Sequence, residues 1–426
     1  MPEQAGLPAR KAALAIVSGV LRSKQPLDMQ LDVLRGLEAR DARFARALAS
    51  QTLRHLGILE AVIRDFVPKP PAAHKAGPTN EILLLGACEL LILDVAPHAA
   101  VDAANFLAGG NGDSMHFKPL INAVLRRVAR EGEAMVAELD LARLSVPDWL
   151  WQRWTQSYGE AVSRRTAIAQ QMPPPLDIVL KNGESVYPES EPLFGAVRRI
   201  RDAGGIERLD GFAEGDWWVQ DVAATLPARL FGNVEGRRVI DLCAAPGGKT
   251  MQLAAAGANV TAVDKDGARL ERVRENLART RLSAQLHLGD AREVKMLAPL
   301  VLIDAPCTAT GTIRRHPDLP WIKGAADVTM AVNKAYEILE NGAELVAADG
   351  MLVFTVCSLE REEGPEQIAA FLDSHPEFSR VPVTPEEVYG HHEWITEAGD
   401  LRTMPFHLAE RGGMDGFYAA RLHRGR

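Results

Sequence analysis

From Gly236 onward, apolar runs of strand length alternate with helical segments, and this alternation constrains the fold more than any other feature of the chain. RRVIDLCA and NVTAVD read as two strands, followed by the helix GARLERVRENLART. AQLHLGD, LVLIDAP and MLVFTV read as three more, the last reached through a long helix in VNKAYEILENGAELVAA and then Gly350. Gly412, Gly413 and Gly416 precede a final strand, FYAARL. Parallel strands need crossover connections, and helices of this length supply them. The pattern therefore predicts an α/β, doubly wound, Rossmann-like parallel sheet.

The first third of the chain has a different texture. Apolar residues recur at three and four in LAIVSGVL, FARALASQTLRHLGILEAVIRDFV and EILLLGACELLILDVAP, with no strand signal between them. Pro68, Pro70, Pro71, Gly77 and Pro78 interrupt the block. LINAVLRRVAREG is a further helix and brings Arg126, Arg127 and Arg130 together. An all-α bundle is predicted here. A new segment starts at Val146-Pro147, with Trp149, Trp151 and Trp154 on one helix, and Pro173-Pro174-Pro175 ends it. Residues from about Leu176 to Trp218 read as a small α+β connector. The expected division is a helical domain over 1–140, a connector over 141–215 and the α/β domain over 216–426.

The chain has 426 residues, 47% of them hydrophobic, which is enough for two or three domains with their own cores. No apolar run approaches the roughly 18 residues of a membrane span. MPEQAGLPARK holds no apolar signal-peptide core, so a cytoplasmic monomer is expected. Cys88, Cys243, Cys307 and Cys357 are widely spaced and lack metal-ligand spacing, so free thiols and no metal are expected. The formal net charge is -8. Bulk affinity for phosphate comes from Lys and Arg, so this balance argues against a nonspecific nucleic-acid coat. It leaves room for an enzyme with one selective site.

Asp241-Leu242-Cys243-Ala244-Ala245-Pro246-Gly247-Gly248-Lys249-Thr250 falls where a strand ends and a helix begins. Small residues there let backbone N–H groups approach a ligand at the carboxyl end of the sheet. The spacing is neither G-x-G-x-x-G nor a Walker A loop. Asp264, Asp290 and Asp304 follow at successive strand ends. Asp264 is placed to bind ribose hydroxyls, and Asp290 to receive an adenine amino group. Each acid taken alone reads equally well as a helix cap.

DLCAAPGGKT, DAPCTATGTIRRHPDLPW and TVCSLEREEG together resemble the Nop/Sun-type RNA cytosine-5 methyltransferases. PHAAVDAANF and LINAVLRRV resemble the NusB-like RNA-binding domain fused to one bacterial member of that family. The resemblance takes in most of the chain and matches the connector only loosely. It implies S-adenosylmethionine as cofactor, held by Cys243 to Lys249 with Asp264, Asp290 and Asp304. It implies RNA as partner, specifically 16S ribosomal RNA. It also implies that Cys357 is the nucleophile and that Cys307 assists product release. Family members usually carry Thr before the nucleophile, whereas this chain has Val356.

The implied chemistry suits these residues. Carbon 5 of cytosine is a poor nucleophile until a thiolate adds to carbon 6, which splits one hard step into two easier ones. The thiol must ionise, and Lys249 together with the dipole of a helix starting near Glu362 can favour that. Asp304 can stabilise charge developing on the ring. Cys88 sits in an apolar helix and reads as a small buried hydrophobe, and Cys243 reads the same way. Arg314, Arg315 and His316, just after Cys307, are expected to meet RNA phosphate. Arg126 and Arg127 fit an RNA contact as well, although a solvated helix face, shared with Arg130, is the more common explanation of such a group. The rival readings are the same chemistry on tRNA or another RNA, an inactive RNA-binding assembly factor, and a DNA cytosine methyltransferase with Cys307 as nucleophile.

Overall fold

The computed structural model describes residues 6–183, 190–201 and 204–426. The start of the N-terminal reading and parts of the expected connector lie outside them. The chain forms two compact units, one of residues 1–172 with 313–324, the other of 173–312 with 325–426.

The first unit is the predicted helical bundle. Its main helices are Leu7–Ser23, Ala39–Arg54, Leu56–Phe66, Thr79–Leu91, Pro97–Gly109, Lys118–Glu138 and Asp148–Gln171. Proline stands in the first turn of three of them, at Pro8, Pro97 and Pro119, where a missing N–H costs nothing. Helix Lys118–Glu138 buries Ile121, Val124, Leu125 and Val128, the i, i+3, i+4, i+7 stripe that packs a helix on a core. Helix Thr79–Leu91 is buried nearly all round, including Glu89. Arg10 answers that carboxylate, its Nε lying 3.0 Å from both oxygens.

Residues 313–324 also belong to this unit. Trp321 donates its indole N–H to Leu53 O at 2.8 Å, Trp149 donates to Pro320 O at 3.2 Å, and Leu27 N–H donates to Asp318 Oδ2 at 3.0 Å. The sequence reading placed Arg314, Arg315 and His316 of this stretch against RNA phosphate.

The second unit holds two sheets. β1 (Leu176–Leu180), β2 (Glu191–Pro192), β3 (Val197–Ile200) and β4 (Trp217–Val219) form a small antiparallel sheet in the order β2-β3-β1-β4. The connector was expected to be α+β. Among the described residues between Leu176 and Val219 only a 3-10 turn, Ile206–Arg208, accompanies the strands. The stretch expected as one connector is thus divided, its helix Asp148–Gln171 lying in the first unit and its sheet in the second.

The large sheet contains β5 (Arg238–Leu242), β6 (Asn259–Asp264), β7 (Gln285–Leu288), β8 (Ala298–Asp304), β9 (Val346–Val356), β10 (Phe378–Arg380), β11 (Leu401–Arg402) and β12 (Tyr418–Arg424). Its order is β10-β12-β9-β8-β5-β6-β7, with β11 on β12. Strands β5 to β9 pair in parallel, as predicted, while β12 runs antiparallel beside β9 with Tyr418 opposite Val356. The sheet is therefore mixed. The long helix ends at Glu344, four residues short of the sequence pattern, and β9 begins at Val346 with a bulge against β8.

Strand β5 is flanked by β6 on one side and β8 on the other. The winding direction reverses there, which opens a crevice at the carboxyl ends of β5 and β8. Among the described residues, no helix is long and apolar enough to cross a membrane.

Candidate active site

The turn leaving β5 is built for close approach. Cys243 takes a positive φ of 60°, and Gly247 one of 103°. A Cβ on Gly247 would stand 3.1 Å from Val273 Cγ1 in the helix Gly267–Thr280, so both backbone angle and packing call for glycine. Ala244 N–H bonds Val263 O at 3.0 Å, and Ala245 N–H bonds Asp264 Oδ2 at 3.2 Å. Asp264 thus braces the turn from the end of β6. The neighbouring helix is capped by Asp266, which accepts from Ala268 N–H and Arg269 N–H. The cap alternative for Asp264 falls away, because the cap position lies two residues later. Asp290 is different. Its carboxylate is wrapped by Arg292, at 2.8 Å from Nη2, which holds its pKa down to about 2.

Lys249 lies on the helix Gly248–Ala255 and is buried. Burial works against its charge, but Asp304 Oδ2 at 2.8 Å outweighs that, and its pKa lies above the ordinary lysine value. Its Nζ also stands 5.3 Å from the Phe417 ring centroid. Beneath it, Asp241 is fully buried and accepts from Thr250 Oγ1 at 2.6 Å, while its Oδ1 has no hydrogen-bond partner. Burial pushes the Asp241 carboxyl up to about 7, and the charges of Asp304 and Asp264 add to that. Asp241 lay inside the quoted motif but was not singled out from sequence.

The two cysteines meet at the ends of neighbouring strands. Cys307 follows the end of β8 and Cys357 immediately follows β9, with Asp304 opposite Thr355 in the register. Their sulfurs are 3.5 Å apart. The hydrogen bond to Cys357, then burial, then the charges of Cys357 and Glu363 hold Cys307 well above the usual thiol range. Gly311 N–H donates to Cys357 O at 3.0 Å, and Gly416 N–H donates to Gly311 O at 2.8 Å. These glycines allow three backbone segments to touch beside Cys357. Burial lifts Cys243 and Cys88 to about 12, which fits the inert reading of both.

Cys243, Asp264, Asp290, Asp304, Cys307 and Cys357 line one cavity of about 220 Å³. Ala245 lines it too, and Ala244, Pro246 and Gly248 complete the turn beside it. Lys265, Arg269 and Lys334 also face this cavity. Sequence reasoning missed them, because isolated basic residues carry no motif. A larger space of about 730 Å³ lies at the amino ends of β5 to β8, bounded by Arg238, Asn259 and Gln285, away from the cysteines. The helix expected near Glu362 begins at Pro365. Val356, where the family carries Thr, is buried.

The expected phosphate contacts sit in the first unit. Arg314 is only 1% exposed, so its guanidinium does not face solvent and the expectation for it does not fit. Burial and the Arg314 charge lower Arg54 to about 10. Arg315 and His316 are half-buried, with His316 Nδ1 3.7 Å from Asp28 Oδ2. Arg126, Arg127 and Arg130 are exposed on their helix, and Glu131 pairs with the last two.

A family model described as 16S rRNA methyltransferase RsmB/F matches residues 228–423, and a NusB family model matches residues 7–130. Ribosomal RNA small subunit methyltransferase B of Pseudomonas putida is 35% identical over 444 residues, covering 98% of this chain and 97% of the relative. The protein of the same name from Pasteurella multocida is 32% identical over 445 residues, covering 98% and 96%. Among solved structures, PH0851 matches with a TM-score of 0.76 at 22% identity, over 97% of this chain and 98% of that one. NSun6 from Pyrococcus horikoshii, solved with SFG, matches with a TM-score of 0.56 at 16% identity, over 66% and 98%. At these identities the structural likeness speaks for the fold alone.

Proposed function

The chain belongs to the RsmB/F family of 16S rRNA methyltransferases, and from that membership we propose that it methylates carbon 5 of a cytosine in 16S ribosomal RNA, with Cys357 as the covalent nucleophile. It is an S-adenosylmethionine-dependent RNA methyltransferase, so the cofactor is S-adenosylmethionine and RNA is its substrate. The observation that carries the finer reading is the pair of thiols 3.5 Å apart in a cavity lined by three carboxylates.

That donor set fits the cofactor. Carboxylate oxygens accept from ribose hydroxyls and favour the cationic sulfonium and ammonium groups. Asp264, Asp290 and the turn from Cys243 to Gly248 are the residues proposed to hold it. Bound there, S-adenosylmethionine supplies an electrophilic methyl group.

The remaining steps are carried by the chain. Cys357 Sγ adds as a thiolate to carbon 6 of the cytosine, which makes carbon 5 nucleophilic. Lys249 and Asp304 sit at the carboxyl ends of the strands, where the Lys249 charge favours that thiolate and Asp304 faces the ring. After transfer, carbon 5 carries both the methyl group and its proton. Cys307, kept as a thiol by its raised pKa, gives its proton to the departing Cys357 sulfur as the carbon 6–sulfur bond breaks. In the same step the Cys307 sulfur takes the carbon 5 proton, whose bonding pair becomes the carbon 5–carbon 6 double bond that expels Cys357, restoring the aromatic ring and the resting thiol. The target base must leave any stack to reach Cys357, so an exposed or single-stranded cytosine is the expected site. Arg126 and Arg127, exposed on the helical unit, are proposed to contact RNA phosphate.

The test is transfer of labelled methyl from S-adenosylmethionine to protein-free 16S RNA. Cys357→Ala is expected to lose at least about 10³-fold in rate, as removal of a covalent nucleophile does. Cys307→Ala is expected to accumulate a covalent protein–RNA adduct on a denaturing gel. Methylated carbon 5 from Cys357→Ala at near-normal rate would overturn the assignment.

A further inference from the structure

Glu363 is 1% exposed and lies within the segment TVCSLEREEG, six residues after Cys357. Its carboxylate gathers donors from both cysteine-bearing loops. Thr308 N–H donates to Oε1 at 2.7 Å and the Thr308 hydroxyl to Oε2 at 2.7 Å. The Ser358 hydroxyl also donates to Oε2. Thr308 is the residue after Cys307, and Ser358 is the residue after Cys357. Thr310 adds a second tie, its Oγ1 accepting from Leu359 N–H at 3.0 Å and lying 3.2 Å from Ser358 Oγ.

We propose that Glu363 is a positioning residue: its buried carboxylate clamps the loop carrying Cys307 to the loop carrying Cys357 and so sets the separation of the two sulfurs. Burying a carboxylate is unfavourable unless its lone pairs are filled, and an apolar side chain would fill the same space without that penalty. What the carboxylate adds is direction. Two loops from different strands are held by one rigid group, next to the atoms whose spacing matters. The catalytic consequence rests on the two-cysteine reading above, while the geometric one does not.

The experiment compares Glu363→Ala and Glu363→Gln with the full-length wild type on two readouts. One is methyl transfer, resolved into kcat and KM for RNA. The other is the rate at which diamide, a diazene oxidant, joins Cys307 to Cys357. There two thiols become a disulfide, and the diazene takes up their two electrons and two protons to become a hydrazine. Cys307→Ser serves as the blank. Glu363→Ala is expected to lower kcat and the cross-linking rate by about 10- to 100-fold each, the usual effect of a displacement near 1 Å, with KM within about threefold. Glu363→Gln keeps an acceptor for Thr308 N–H and is expected to recover part of both. If Glu363→Ala does not fold, Thr308→Val and Ser358→Ala, which each remove one arm of the clamp, are measured in its place.

Wild-type cross-linking and kcat in Glu363→Ala would overturn the clamp. So would a Gln variant that matches Ala in every readout and in melting temperature, which marks a general packing lesion. Slow cross-linking in Glu363→Ala, together with full activity in Cys357→Ala, would uphold the clamp and remove the two-cysteine mechanism.

Discussion

Cys307 Sγ lies 3.5 Å from Cys357 Sγ although fifty residues separate them in the chain. Their strands β8 and β9 are parallel neighbours, so the two loops leave the sheet side by side. Everything that distinguishes these thiols from Cys88 follows from that adjacency. Cys88 is buried in the hydrophobic core of the helical unit.

Lys249 is the one cation that the turn motif delivers to the site, and its raised pKa keeps it charged at any physiological pH. Lys249→Met leaves Asp304 without its 2.8 Å partner and the thiolate without a nearby positive charge. Single-turnover methyl transfer is expected to slow by about 10²-fold, the scale of losing one preorganised electrostatic group. A rate within threefold of wild type would mean that Lys249 serves packing alone.

Gly311 tolerates no side chain. A Cβ there would stand 1.9 Å from Gly416 O and 2.9 Å from Cys357 O, both backbone atoms that no rotamer change can move. Gly311→Ala is expected to destabilise the second unit by about 1–3 kcal/mol and to lower methyl transfer with it. Gly112→Ala, with nothing within 4 Å of its Cβ, is the control and should unfold like wild type in urea. Equal unfolding midpoints for the two variants would contradict the close approach.

Asp241 links stability to pH. Its folded pKa, raised to about 7 by burial, exceeds the ordinary carboxylate value of 3.8, so the folded state binds the extra proton. The stability this contributes is complete below the ordinary value and is lost as pH rises through about 7. Asp241→Asn cannot ionise and keeps an acceptor for Thr250. Between pH 5.5 and 8.5 its Tm is expected to gain about 2–4 °C on wild type, read by differential scanning calorimetry. A Tm difference that stays constant across that range would show that Asp241 remains ionised throughout.

Much of the site was readable because it is local. The turn from Cys243 to Lys249 is one contiguous segment, and the strands that present Asp264, Asp304 and Cys357 are short apolar runs with sharp ends. The basic residues fared differently. Arg314 looked like a phosphate contact because it follows Cys307 in the chain, yet it is buried among the helices of the first unit. Asp290 was read as an adenine partner, and its position in the cavity agrees with that proposal, but Arg292 two residues on already engages both oxygens. Lys334 carried no signal, since a lysine inside a helix is ordinary, and Glu363, although it lies within TVCSLEREEG, was not singled out.

By itself the sequence determined the elements: helices where apolar residues recur at three and four, parallel strands where apolar runs alternate with them, and a glycine turn at a strand end. Those are effects of periodicity and backbone preference, which act over a few residues. Only the tertiary structure decided which strands are neighbours, which charged groups are shielded from water and which loops are clamped together. Distance and burial are set by contacts across fifty or more residues, as between Cys307 and Cys357 or Trp321 and Leu53. No local pattern encodes them, because the side chains that create them come from segments whose spacing in the chain is free to vary.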